Sequence, residues 1–329
     1  MAFNDKKRST TCHSGLKARM SFNVSFDCRA NHSLLSFFYF FHFLIFSSFV
    51  FRLFFSIFVV IFINWRIMDI FESIGLGVVQ GLTEFLPVSS SGHLQLAREV
   101  MGVEINESLA FDVTLHAATV LSTIVVLWHE IWRLLKGAFV FSGKINEEQS
   151  YILKIVISMI PIGVVGVLCK DYIDQISNNL WVVGAMLLCT ALLLTFAYYA
   201  KQRKKDTISY RDSFIIGIAQ ACATMPGLSR SGSTIAAGLL LGNKKESVAK
   251  FSFLMVLPPI LGSALLDLVK GDFGGGVEAA PLVAGFVAAF VTGVLACKFM
   301  LEIVKRGKLI WFAIYCAFAG VLALISHIF

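Results

Sequence analysis

Apolar runs of about 20 residues recur along the chain and constrain its fold more than any other feature. The clearest of them lie at 108–130, 151–169, 180–200, 250–269, 281–300 and 309–328. Each run is long enough to cross a hydrocarbon core of about 30 Å, in which only helices and closed barrels satisfy the backbone. The runs do not alternate as barrel strands do, so we predict six transmembrane helices. A composition of 57% hydrophobic and 15% charged residues excludes a water-soluble domain.

Two further apolar stretches, 69–101 and 211–242, are interrupted in the middle by Pro, Gly and Ser. The interruptions read PVSSSGH at 87–93 and PGLSRSGST at 226–234. Proline and glycine break helices, and broken backbone at membrane depth must be covered by protein or line a water-filled cavity. We therefore predict two re-entrant helical hairpins that meet around a polar site.

An offset of 140 residues aligns the two broken stretches without a gap. The identical pairs are Gly77 with Gly217, Gln80 with Gln220, Ser89 with Ser229, Ser91 with Ser231 and Gly92 with Gly232. The pattern predicts a first repeat over 68–207 and a second over 208–329, each with one re-entrant hairpin and three spans. Three crossings are an odd number, so the second repeat is expected to be inverted relative to the first.

The charges of the linkers give the orientation. Linkers rich in Lys and Arg lie at 131–148, 201–211, 243–250 and 302–308, whereas those at 98–107, 171–179 and 270–280 are not basic. Six spans and two re-entrant hairpins put all the basic linkers on one side, which the positive-inside rule makes cytoplasmic. The first hairpin then enters from outside and the second from the cytoplasm. Because 14 of the 28 Lys and Arg lie in these short linkers between apolar runs, where they face anionic lipid, we expect no nucleic-acid partner despite the net charge of +7.

Residues 1–67 differ in composition from the rest of the chain. They hold 15 of its 31 Phe, and the composition changes abruptly at Met68. One interpretation is an upstream extension from a mispredicted start, with Met68 as the natural initiator. The other is an additional membrane helix that follows a basic tail.

The first hairpin carries side chains that are costly to bury without a function. Gln80 and Glu84 are four residues apart and share one helix face. The loop after them supplies hydroxyls and an imidazole, at Ser89, Ser90, Ser91 and His93. Structural roles, such as capping by Glu84, stay open for each residue alone, but the cluster favours chemistry.

The second hairpin resembles a cradle for phosphate oxygens. Its guanidinium, hydroxyls and backbone amides come from Gly227, Ser229, Arg230, Ser231 and Thr234. A guanidinium beside open N–H groups at a helix start is well suited to bind an anion. The alternative is that Arg230 only neutralises Glu84 across the two hairpin tips.

Three stretches together resemble one known family. They are QGLTEFLPVSSSGH at 80–93, PGLSRSGST at 226–234 and FSFLMVLP at 251–258. On these motifs the chain, from Met68 to Phe329, is similar to bacterial undecaprenyl-diphosphate phosphatases, also called bacitracin-resistance proteins.

The resemblance implies a multi-pass protein of the bacterial cytoplasmic (inner) membrane whose active site faces the exterior. It implies hydrolysis of undecaprenyl diphosphate to undecaprenyl phosphate and phosphate, which recycles the lipid carrier for peptidoglycan and other envelope polymers and confers bacitracin resistance. It also implies a divalent cation, Mg²⁺ or Ca²⁺. The lipid substrate and membrane lipids are the expected partners, and a homodimer is compatible with this interpretation.

The same resemblance suggests roles for the site residues. Arg230 is the expected phosphate clamp, supported by Gly227, Ser229, Ser231 and Thr234. Gln80, Ser89 and Ser91 are expected to bind substrate. Ser90 is the expected nucleophile, Glu84 the base or cation ligand, and His93 an acid/base or second clamp. A His93 nucleophile or an activated water remains an alternative.

Gln80 is a departure from the family pattern. It is the second expected cation ligand, but it stands where many relatives have Glu and is the weaker ligand. A different class of function also stays open, since inverted repeats with broken helices are a transporter design. The alternative is a transporter that flips a polyprenyl phosphate across the membrane.

Overall fold

The computed structural model describes residues 69–103, 109–140, 144–176, 179–200, 205, 207–262 and 279–326. All of these belong to one compact unit, Trp65–Phe329. The predictions for residues 1–67 therefore lie outside the described residues. Within the described ranges the regular structure is helical, apart from an isolated backbone bridge between Lys205 and Asn243. The prediction of an all-α fold is confirmed.

Twelve helices are bounded within the described ranges. They are α1 (Ile70–Phe85), α2 (Ser90–Met101), α3 (Leu109–Val126), α4 (Trp128–Ala138), α5 (Glu147–Leu168), α6 (Lys170–Ile176), α7 (Leu180–Tyr199), α8 (Tyr210–Cys222), α9 (Arg230–Leu240), α10 (Lys245–Leu254), α11 (Ala279–Arg306) and α12 (Ile310–Ser326). Residues 257–262 are also helical. The two stretches predicted to be broken appear as α1 with α2 and α8 with α9.

Several helices can cross a membrane by length and composition. Among the described residues, α5, α7 and α11 each suffice alone, and α3 with α4 makes a fourth candidate that bends by 78°. Large apolar side chains on α5 are left exposed, for example Val167 at 82% and Leu168 at 76%. Exposed apolar surface of this extent is stable in lipid rather than in water. The chain is therefore a multi-pass membrane protein.

The bend between α3 and α4 departs from the straight run predicted at 108–130. Leu127 has φ −101° and ψ 19°, outside the regular helix, and no side chain caps the start of α4. Aromatic and charged residues follow the bend, and the Trp128 and Trp132 rings stack with centroids 5.8 Å apart. Aromatic and charged side chains favour the interface between lipid and water, which explains why the chain turns away from α3 here.

Side-chain caps set the starts of the hairpin helices. Asp69 and Glu72 form a capping box at α1. Ser89 caps α2 by accepting from the Gly92 N–H, and Ser229 caps α9 by accepting from the Gly232 N–H. Ser89 and Ser229 thus cap equivalent positions of the two hairpins, although their backbones differ, with φ 71° at Ser89 and φ −66° at Ser229.

Close helix contacts fix the positions of both hairpins. A Cβ on Gly77 of α1 would lie 2.4 Å from the carbonyl oxygen of Gly285 on α11. A Cβ on Gly217 of α8 would lie 2.3 Å from the carbonyl oxygen of Ser158 on α5. Gly77 and Gly217 are a pair in the 140-residue alignment, so equivalent glycines allow each hairpin to pack closely on a long helix. In addition, α7 packs against α12.

Contacts join the four basic linkers. Lys250 Nζ lies 2.6 Å from Glu130 Oε1 of α4, just before the first linker. The backbone bridge between Lys205 and Asn243 joins the second linker to the third. A Cβ on Gly307 would meet the side chain of Lys245, which brings the fourth linker to the third. The basic linkers therefore gather at one end of the helix bundle.

Candidate active site

The tips of the two hairpins meet through an ion pair. Glu84 lies in the last turn of α1, and Arg230 is the first residue of α9. Arg230 Nη2 donates to Glu84 Oε1 at 3.0 Å, although the two residues are 146 positions apart in the chain. The side chains are largely buried, with 24% of Arg230 and 7% of Glu84 exposed. Charges at such depth are stable only when paired.

The second oxygen of Glu84 accepts two hydrogen bonds from its own hairpin. Ser90 Oγ donates to Glu84 Oε2 at 2.6 Å, and Gln80 Nε2 donates to the same oxygen at 3.1 Å. Arg230 at Oε1 and the two donors at Oε2 all favour the ionised form of the carboxylate. The distance from Ser90 is within the range in which a carboxylate can take a proton from a hydroxyl.

Serine hydroxyls on both sides hold the tips in shape. The hydroxyls of Ser89 and Ser91 are 3.3 Å apart, and those of Ser229 and Ser231 are also 3.3 Å apart. Ser231 Oγ also donates to the Leu86 carbonyl at 3.1 Å, which is a second link between the tips. Ser89 has a φ of 71°, a conformation that is strained for a residue other than glycine.

His93 lies in the first turn of α2 with both ring nitrogens engaged. Nδ1 is 2.8 Å from the Ser89 carbonyl oxygen, and Nε2 is 2.7 Å from the hydroxyl of Tyr315 on α12. The two rings stack with centroids 5.5 Å apart. Tyr315 was not among the predicted site residues, because it lies 222 positions from His93 and outside the recognised motifs.

Gly227 and Thr234 lie behind the tips. Gly227 has a φ of 87°, and a Cβ at this position would be 2.4 Å from the Val183 carbonyl oxygen of α7. Thr234 is fully buried and donates to the Arg230 carbonyl at 2.9 Å. Gly227 therefore permits the tight turn before α9, and Thr234 stabilises the first helical turn of α9. Together they position Arg230.

A small cavity of about 20 Å³ lies between the tips. Its polar lining includes Glu84, Arg230, Ser231, Thr119, Thr123 and Ser252. A cavity of this volume holds about one water molecule. Ser252 is 2% exposed, and its hydroxyl has no hydrogen-bond partner among the described residues. Thr119 and Thr123 of α3 and Ser252 of α10 were not among the predicted site residues. Ser252 could have been included, because it belongs to the FSFLMVLP stretch.

Oxygen atoms near Glu84 suit a hard divalent cation. The Oε1 atom of Gln80 is buried beside Glu84 and has no hydrogen-bond partner within the described part of the chain. One carboxylate and one amide oxygen are the ligand types that Mg²⁺ and Ca²⁺ prefer. The described residues contain no cluster of three or more His, Cys, Asp and Glu that could hold a metal. Gln80 directs Nε2 rather than Oε1 at Glu84, so the amide would have to rotate for both residues to hold one cation, and the other ligands would have to come from substrate or water.

Comparison with known proteins adds to this geometry. The family model described as "Bacitracin resistance protein BacA" matches residues 73–322. A protein of Parabacteroides distasonis named "Undecaprenyl-diphosphatase" is 60% identical over 262 residues, which is 78% of this chain and 98% of the relative. A protein of the same name from Bacteroides thetaiotaomicron is 58% identical over 266 residues, or 79% of this chain and all of the relative. "Undecaprenyl-diphosphatase 1" of Bacillus cereus is 40% identical over 257 residues, or 76% of this chain and 95% of the relative.

Proposed function

The chain belongs to the bacitracin resistance protein BacA family, and from this premise we propose that it hydrolyses undecaprenyl diphosphate to undecaprenyl phosphate and phosphate. This reaction regenerates the lipid carrier for peptidoglycan and other envelope polymers in the inner membrane. It also accounts for bacitracin resistance.

The observation that carries this function is the contact of Arg230, Glu84 and Ser90 at the hairpin tips. An anion-binding guanidinium, a carboxylate and a hydroxyl bonded to that carboxylate are the groups that phosphoryl transfer requires. A transporter needs groups that bind its cargo but has no use for a hydroxyl poised on a carboxylate. The geometry therefore favours hydrolysis over the flipping of a polyprenyl phosphate.

In the proposed mechanism, the phosphate competes with Glu84 for Arg230. The cavity between the tips has room for about one water molecule, so the diphosphate has to separate the ion pair to enter. Arg230 then binds phosphate oxygens and neutralises their charge in the transition state. Glu84, released from Arg230 at Oε1, keeps Oε2 on the Ser90 hydroxyl and takes its proton. The Ser90 oxygen attacks the terminal phosphorus, undecaprenyl phosphate leaves, and water hydrolyses the phosphoserine.

The contacts of His93 favour Ser90 as the nucleophile. Nδ1 of His93 faces a backbone carbonyl and Nε2 faces Tyr315, so neither nitrogen is directed at the Glu84–Arg230 pair. His93 is better placed as an acid/base or second clamp at the side of the tip. A water activated directly by Glu84 is the remaining alternative to Ser90.

We assign Gln80 and Glu84 as protein ligands of a divalent cation that binds with the diphosphate. Such a cation would neutralise charge on the phosphate oxygens. The partnerless Oε1 of Gln80 supports this role.

Gln80→Glu tests the cation assignment. A second carboxylate binds Mg²⁺ more strongly than an amide oxygen, so we expect the Mg²⁺ concentration for half-maximal activity to fall about tenfold. Gln95→Glu introduces the same charge on α2 and should leave this concentration unchanged. The measurement is phosphate release against Mg²⁺ concentration. An unchanged requirement in Gln80→Glu would exclude this position as a ligand.

We also propose six spans and two re-entrant hairpins in two inverted repeats, with the site open to the exterior. The gathering of the basic linkers at one end supports a single cytoplasmic face. The pairing of α1 with α11 and of α8 with α5 supports an inverted relation, because each hairpin packs on a long helix of the other half.

Single cysteines in a cysteine-free background test this topology. A membrane-impermeant maleimide should label Glu99→Cys in intact cells, because α2 ends outside. It should label Lys308→Cys only after permeabilisation, because the linker after α11 is cytoplasmic. Both positions are exposed in the structure. Labelling of the two cysteines from the same side would exclude the arrangement.

Phosphate release from a long-chain polyprenyl diphosphate tests the function. We expect purified protein to release phosphate with added Mg²⁺ or Ca²⁺, and Arg230→Ala to lower kcat/KM by about 10²-fold. Arg211→Ala removes an exposed arginine of α8 at the basic end of the bundle and should be active. No release by folded wild type across cations would refute the phosphatase and direct attention to lipid flipping in vesicles.

A further inference from the structure

We propose that Tyr315 is a positioning residue for His93, and this inference rests on the proposed acid/base or clamp role of His93. Tyr315 stacks on the imidazole and meets Nε2 with its hydroxyl at 2.7 Å. No predicted role or motif includes Tyr315. It comes from α12, at the far end of the sequence from the hairpin that it contacts.

The two hydrogen bonds determine the state of the imidazole. The Ser89 carbonyl can only accept, so Nδ1 carries the hydrogen. In the neutral ring Nε2 is then an acceptor, and the Tyr315 hydroxyl donates to it. Nε2 is thus the nitrogen that can gain a proton, and because its lone pair is directed at the Tyr315 hydroxyl, Tyr315 fixes the orientation of the ring.

The phenol hydroxyl suits this position because it serves both states of the ring. It donates to neutral imidazole and can rotate to accept from imidazolium, so His93 can gain or lose a proton without moving. Tyr315 is 36% exposed, so its side chain is only partly covered by the protein. The two rings stack with 20° between their planes, which restricts rotation of the imidazole.

The neighbouring residue anchors α12 to the same tip. Cys316 Sγ donates to the Pro87 carbonyl at 3.4 Å, and Cys316 is fully buried. Successive residues of α12 thus contact the loop before Ser89 and the ring of His93. Because this helix belongs to the second half of the chain, the first hairpin depends on the second half for the orientation of its histidine.

Tyr315→Phe tests the proposal, because it removes the hydroxyl and keeps the stacked ring. We expect kcat to fall about tenfold with KM within about twofold, since orientation of His93 matters in the transition state more than in substrate binding. Tyr210→Phe is the matched control. The Tyr210 hydroxyl also makes a short hydrogen bond, 2.8 Å to Ser150 Oγ, between α8 and α5, and its loss should leave kcat unchanged. Melting temperatures of both variants show whether packing is preserved.

A second variant separates this inference from the role of His93. In His93→Gln, which should lose more activity than Tyr315→Phe, adding Tyr315→Phe should have no further effect, because the hydroxyl acts through the imidazole. Two outcomes would overturn the role of Tyr315 but not that of His93. One is a double variant whose loss of kcat is the product of the two single losses, and the other is a normal kcat in Tyr315→Phe while His93→Gln is impaired. Normal activity of His93→Gln would overturn the proposed role of His93 and the inference with it.

Discussion

Replacement of Ser90 with alanine is expected to lower kcat/KM by about 10⁴-fold if Ser90 is the nucleophile. The substitution removes the oxygen that lies 2.6 Å from Glu84 and changes nothing else in the first turn of α2. The KM for undecaprenyl diphosphate should change little, because the proposed clamp, Arg230, and the proposed cation would still bind the phosphates. The measurement is steady-state phosphate release by purified protein at saturating Mg²⁺.

Ser73→Ala is the control for this substitution. Ser73 is a fully buried serine of α1, near the start of the same hairpin, so the variant tests whether loss of a buried hydroxyl alone reduces activity. It should retain full kcat. Retention of more than about a tenth of wild-type activity by Ser90→Ala would exclude Ser90 as the nucleophile.

Acid and alkali treatment of quenched enzyme distinguishes the nucleophiles. With substrate labelled at the terminal phosphate, attack by Ser90 gives a phosphoserine that survives acid. Attack by His93 gives a phosphohistidine that acid destroys and alkali spares. Direct attack by water leaves no label on the protein in any condition. Acid-stable label that is absent in Ser90→Ala is the expected result.

Replacement of Glu84 with glutamine should lower kcat/KM by about 10³-fold. Glutamine has the shape of glutamate, but its NH₂ group would face one of the donors that Glu84 now accepts from, namely Ser90, Gln80 and Arg230. The variant also loses the proposed base for Ser90 and a proposed ligand of the cation. Because Arg230 would be left without its charged partner, the folded state should also lose about 3 kcal/mol.

Glu130→Gln is the matched control for Glu84→Gln. Glu130 also pairs with a cation, Lys250, but at the end of the bundle where the basic linkers gather. Glu130 Oε2 also lies 3.0 Å from Arg133 Nη2, so each oxygen of this carboxylate has a charged partner. Its loss should lower stability modestly and leave kcat intact. If both glutamine variants lost activity in proportion to their loss of stability, Glu84 would have no specific role in catalysis.

Much of the fold was predictable because a bilayer restricts the choices. Apolar length and the absence of alternation specify helices, and Pro, Gly and Ser at 87–93 and 226–234 specify where two of the helices break. The bend at Leu127 was not predictable from hydropathy. The bend arises because Trp128 and the charged residues after it prefer the membrane interface. The mean hydropathy of 108–130 hides this preference.

The core of the site was predictable because its residues occur in two short motifs. A buried Glu84 and a buried Arg230 need partners, and each is the natural partner of the other. The alternative interpretation of Arg230, that it neutralises Glu84, describes the contact in the structure, and the proposed mechanism requires this pair to open. Tyr315 and Ser252 could not be placed, because isolated residues on apolar helices carry no positional signal until the helices are packed.

The measurement that tests the central claim most directly is a double-mutant cycle on kcat/KM with Glu84→Gln and Arg230→Lys. The claim is that the two hairpin tips form one catalytic site. Residues that act in one site are not independent, so the double variant should lose little more activity than Glu84→Gln alone, with a coupling of about 2 kcal/mol. Losses that multiply, with a coupling near zero, would mean that Glu84 and Arg230 act separately, and would contradict the account.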